Sequence, residues 1–112
     1  MMRYLISFDD GTMIIPKEDL PAVSEASHKV VREAKDAGVW IFGGGLLRQR
    51  ASIVATDGTV SDGPDPETKI AVGGFSILEV ASREEALAWA AKIAAACRCA
   101  QEVREIMYDP ES

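Results

Sequence analysis

Apolar positions along the chain fall into blocks of two periods. Arg3 to Phe8 (RYLISF) is short, apolar and β-prone, and Asp9-Asp10-Gly11 ends it, which predicts a first strand. From Leu20 onward Val23, Ser27, Val30, Val31 and Ala34 recur every three or four residues, one stripe of a helix running to about Ala37. Asp19 is placed to cap that helix, Pro21 fits its first turn, and Gly38 ends it. Val39 to Phe42 begins a second strand that runs into Gly43-Gly44-Gly45-Leu46-Leu47. Ser52 to Thr56 and Thr59 to Ser61 flank Asp57-Gly58, which reads as a two-residue hairpin turn. Gly74 to Val80 is a fifth strand, with Phe75, Ile77 and Glu79 sharing a face. Ser82, followed three residues later by Glu85, is a capping box, and it opens an alanine-rich helix from Arg83 to about Ala96. Gln101 to Met107 alternates and predicts a last strand.

The order is β-α-β, a hairpin insert, then β-α-β, with no linker or repeat. It predicts one domain over residues 1–112, of the α+β class: a ferredoxin-like βαββαβ sandwich with a β-hairpin insert. Helices on one face of an antiparallel sheet leave the other face bare. Apolar residues on both faces of the second and fifth strands therefore predict a homodimer formed through the open sheet face. Size agrees, because a chain of 112 residues with 47% apolar content can bury a core. Yet it removes only roughly two-thirds of its unfolded surface from water, and a second copy would cover more.

Charge narrows the partners. The net charge is −6, and Arg48-Gln49-Arg50 is the densest basic spot, which argues against nucleic acid. No apolar stretch approaches the ~20 residues of a membrane span. The apolar run at the N-terminus meets acid at once, unlike a secretory signal, so a cytoplasmic setting is expected. Cys97 and Cys99 are too close for an unstrained disulfide, and with one distant histidine they make a poor metal set. Reduced thiols at a helix end are expected.

The stretch VSDGPDPETKIAVGGF, Val60 to Phe75, is rigid and acidic. Asp57, Asp62, Asp65 and Glu67 lack the spacing of a calcium loop, and no metal or cofactor is expected. Gly43-Gly44-Gly45 lacks the Gly-Lys-Ser/Thr of a phosphate cradle and predicts a bulge or a close backbone approach. Trp89 belongs to the core side of the second helix. His28 is the only histidine. It lies one position off the apolar stripe, with Ser24 one turn before it. Spacing alone is satisfied by a structural or surface histidine, and Asp62 by a turn-capping role. The chemical reading is that His28 serves as general acid or base and that a carboxylate on a stiff loop orients it. Arg48 is the candidate to meet an anionic group.

Several pieces then converge. They are Tyr4-Leu5-Ile6, His28 ten residues before Gly38, Ala37-Gly38-Val39 leading to Gly43-Gly44-Gly45-Leu46, and Asp62-Gly63-Pro64. With them come Glu67-Thr68-Lys69, Gly73-Gly74-Phe75, Glu85-Ala86-Leu87-Ala88-Trp89-Ala90 and Glu102-Val103-Arg104. With them the chain resembles the YCII-related proteins, in particular the branch named for an Asp-Gly-Pro-Phe motif. The resemblance implies a ferredoxin-like fold pairing into a dimeric α/β barrel, and a catalytic site of His28 and Asp62. Ser24, Arg48, Gly63, Pro64 and Asp65 are then the candidate substrate contacts in a small cleft. Asp65 stands where the motif has Phe, so the pocket is expected to be more polar or more open. The wider group includes a dehydrochlorinase, and muconolactone isomerases share the general barrel. Both imply cofactor-free proton transfer, of lyase or isomerase type, on a small acidic substrate. The rival implication is a non-enzymatic ligand- or protein-binding regulatory module, because members of this branch are often encoded beside extracytoplasmic-function sigma factors.

Overall fold

The computed structural model describes residues 1–9, 11–47, 51–63 and 72–112. In chain order the elements are β1 (Met2–Asp9), α1 (Leu20–Asp36), β2 (Trp40–Gly45), β3 (Ser52–Val54), β4 (Val60–Asp62), β5 (Val72–Val80), α2 (Arg83–Cys97) and β6 (Glu102–Glu105). Four strands form an antiparallel sheet in the order β2-β5-β1-β6, and β3 and β4 pair apart as a hairpin. Each βαβ unit thus skips one strand, the ferredoxin-like arrangement expected from the element order.

The register explains where the core lies. Tyr4 pairs with Leu78 and Met2 with Val80, so period-two alternation turns Tyr4, Ile6, Leu78 and Val80 toward the helices. All four are fully buried. Ala34 of α1 and Ala86 and Ala90 of α2 meet them, and Trp89, Ile93 and Val103 pack around this centre. Trp89 therefore sits where the helix pattern put it. Val23 is buried on the predicted stripe of α1, whereas Leu20, in the first turn, is exposed.

The two helix starts differ. Ser82 Oγ accepts a hydrogen bond from the Glu85 amide at 3.2 Å, and Glu85 Oε2 accepts one from the Ala81 amide at 3.1 Å. The box therefore forms, but Glu85 reaches one residue further back than the motif implies. Asp19 does not cap α1 through its side chain. A 3-10 turn over Lys17–Asp19 has already made its backbone helical (φ −92, ψ −8), and a capping side chain needs an extended backbone. Its carboxylate instead lies 2.9 Å from Arg98 at the end of α2. Arg98 adopts φ 56 and Gly38 φ 76, each closing a helix in the left-handed region. Replacing Ser82 with Ala is expected to cost about 1 kcal/mol. The check is a lower urea midpoint with an unchanged m-value.

Two strand limits also moved. The hairpin loop is wider than two residues. Ala55 N–H donates to the Thr59 carbonyl at 2.8 Å, and Thr56, Asp57 and Gly58 turn between them, with Gly58 at φ 89. One left-handed glycine after a type I-like turn suits three residues. Asp57 Oδ1 accepts from the Thr59 amide at 2.9 Å, and that bond holds its carboxyl below the usual aspartate range. A depressed carboxyl supports the hairpin above its unfolded pKa, and this support is lost as the pH falls through the folded value. β6 stops at Glu105. Past the Ile106 amide, which still donates to Arg3, Met107 and Tyr108 are exposed.

Candidate functional site

A cavity of about 530 Å³ opens between α1, the end of α2 and the β2–β5 edge of the sheet. From α1 it is lined by Ser27, His28, Val31 and Lys35. His28, Val31 and Lys35 stand at i, i+3 and i+7, hence on one face. His28 Nδ1 lies 3.4 Å from Ser24 Oγ, one turn back, and the ring reaches water as well as the cavity. Ser27 donates to the Val23 carbonyl at 2.8 Å and stands 3.6 Å from Cys97 Sγ, which joins the two helices at the cavity floor. Gln101, just past α2, adds an amide.

The sheet wall is built by glycine. A Cβ on Gly43 would lie 2.6 Å from the Phe75 carbonyl oxygen, 2.9 Å from the Ser76 Cα and 2.9 Å from the Trp40 ring. No side chain fits there, so Gly43 makes the close backbone approach that the glycine triplet predicts, while a Cβ on Gly44 or Gly45 would meet nothing within 4 Å. A register shift between Trp40 and Phe42 accompanies it. Trp40 pairs opposite Leu78 and so lies on the helix side, while Phe42 stays 62% exposed at the rim. Phe42 and Phe75 form a tilted pair, their centroids 6.0 Å apart. That pair stands with Ile77 on the face away from the helices; Phe8, in step with Tyr4 and Ile6, joins Trp40 on the helix side of the cavity.

Of the residues picked from sequence, His28 lines the cavity, and Ser24 meets its ring without lining it. Asp62 and Gly63 end the hairpin. Gly63 N–H donates to the Ala51 carbonyl at 3.0 Å, and Asp62 is exposed. Among the described residues no hydrogen bond or ion pair joins Asp62 to His28, and the hairpin packs against no other helix or strand. Arg48, Pro64 and Asp65 lie outside the described residues. Sequence reasoning missed Lys35, Trp40, Phe42, Phe75 and Gln101. For Lys35 the hint was available, two helical turns after His28. Phe42 and Phe75 flank the glycine positions but need the register to meet.

Both cysteines are free. Burial, and then the neighbouring Cys97, push the Cys99 thiol up, so it is no ready thiolate. Among the described residues no group of three or more His, Cys, Asp or Glu side chains gathers to hold a metal ion. No described helix is long and apolar enough to cross a membrane.

The fold recurs in a solved structure, 5-chloro-2-hydroxyhydroquinone dehydrochlorinase (TftG) from Burkholderia phenoliruptrix AC1100, in complex with 2,5-dihydroxybenzoquinone. The TM-score is 0.50 at 15% identity, covering 99% of this chain and 98% of that one. No curated protein sequence matches the chain. Residues 2–108 match the YCII-related domain, nearly the full length with α1, the glycine wall and both βαβ units inside it, and the chain belongs to that family.

Proposed function

We propose that this protein is a small-molecule enzyme that moves a proton without a cofactor, with His28 as the general acid or base. The observation that supports it is the position of the sole imidazole on the wall of a cavity that the aromatic residues Phe8 and Trp40 also line. Such a cavity takes a flat ring, and an imidazole is the side chain best matched to proton transfer near neutral pH. Ser24 steadies the ring through Nδ1. Elimination of HCl from a chlorinated ring, the chemistry in the structural relative's name, is of this kind: a base takes the proton, the bond's electron pair forms the new double bond, and chloride leaves with its own pair.

Asp62 enters this reading from a second chain. Among the described residues the hairpin that carries it packs against no other helix or strand of its own subunit, while Val54 and Val60 on it are 66% and 64% exposed. An isolated two-stranded hairpin is marginal in water, so it needs a surface to rest on. A homodimer closed over the open sheet face, where Phe42 stands exposed, supplies that surface and carries Asp62 toward the partner's His28. The test is chloride release from 5-chloro-2-hydroxyhydroquinone, alongside proton exchange on small unsaturated lactones. Acceleration above buffer is expected for at least one compound. Inactivity across both sets would reject the enzymatic reading and leave a binding role.

A further inference from the structure

Resting on the small-molecule reading above, we infer that the cavity selects planar anions, with the acidic group of the ligand seated at Lys35. Acidic residues are 18 of the chain's 112, which has net charge −6, yet none of those among the described residues lines the cavity. In so acidic a protein, a described lining with no carboxylate offers nothing to hold a cation and nothing to repel an anion. The one ammonium among its described lining residues is Lys35. Among the described residues that ammonium has no carboxylate partner. Glu33, on the same helix, is taken by Lys92 at 3.3 Å, and Glu25 by Arg32 at 2.6 Å. The other ionisable groups facing the cavity are His28 and Cys97. A lysine in the last turn of a helix also complements the helix dipole, which accounts for its presence but not for the missing carboxylates.

The spacing sets the ligand's length. Lys35 follows His28 by seven residues, roughly 10 Å along the helix axis. A ring compound lying against Trp40 and the glycine backbone of β2 spans that gap, with its charged end at the ammonium and its reacting end at the imidazole. The substrate class is therefore a ring acid, or a ring phenol ionised at neutral pH, whose charge is remote from the carbon that gains or loses the proton.

Three probes of equal length and different charge test this: 2-naphthoate, neutral 2-naphthamide and cationic 2-naphthylmethylammonium. Binding is read from the Trp40 indole and His28 imidazole NMR signals at low salt. Naphthoate is expected to bind about tenfold more tightly than the amide, the contribution of one charged hydrogen bond. Lys35→Met should abolish that preference and leave amide binding unchanged, whereas Lys35→Arg should keep it. Added salt should erode it. Urea midpoints close to native would show that the variants fold. An amide as tight as the acid, or a preference that survives Lys35→Met, overturns anion selection and leaves a small-molecule site standing. Silence from all three probes overturns both.

Discussion

Leu78→Ala should cost about 2–5 kcal/mol of stability. Leu78 is fully buried on β5, opposite Tyr4 on one side and Trp40 on the other, beneath both helices. Truncation removes apolar contact from the middle of the sheet, and strands pinned on both sides cannot collapse into the space. A domain of this size has stability on the order of 5–15 kcal/mol, so the variant stands at the edge of folding. Leu78→Met keeps the volume and should cost less than about 1.5 kcal/mol. The comparison is made by urea unfolding at two protein concentrations. If a second copy covers the open face, both midpoints rise with concentration, as they do when association is linked to folding. A Leu78→Ala midpoint equal to that of Leu78→Met would mean that the centre of the core lies elsewhere.

Much of this fold was legible because its pattern is local. The stripe Val23, Ser27, Val30, Val31 and Ala34 needs only a helical period, and the alternation through Leu78 and Val80 needs only a strand. The capping box at Ser82 is local in the same way. Failures arose where the backbone before or after the pattern had the decisive say. The 3-10 turn at Lys17–Asp19 took away the extended conformation that Asp19 needed, and Thr56 joined a turn that Asp57-Gly58 was expected to make alone.

The site was legible by residue type and less so by neighbourhood. A lone histidine bordering an apolar stripe marks itself. The residues that line the cavity with it, Trp40, Phe75 and Gln101, come from three segments, and their meeting depends on a register shift at Trp40–Phe42 that no composition announces. Arg48, the anion candidate because it follows the glycine triplet, lies outside the described residues; among those described, the cation that reaches the cavity is Lys35, on a helix chosen for its apolar face. Positive charge at a cavity is placed by topology as readily as by proximity in sequence.

His28→Ala should lower turnover of an accepted substrate by about 10²–10⁴-fold, the usual contribution of a positioned acid or base. Binding of 2-naphthoate should change far less, because the Lys35 ammonium and the Trp40 ring remain. A loss carried by KM alone would make His28 a binding group instead. Asp62→Asn should also lower turnover, and the two variants together decide where Asp62 acts. If each site joins His28 of one subunit to Asp62 of the other, each is inactive alone, yet a mixed dimer holds one site with both residues intact. Equal mixing and subunit exchange should then restore about a quarter of the native rate, since half the dimers are mixed and half their sites complete. If both residues serve one site within a single chain, mixing restores nothing. If Asp62 only caps its turn, Asp62→Asn retains activity from the start, and the hairpin's role is then to hold the dimer together rather than to complete its site.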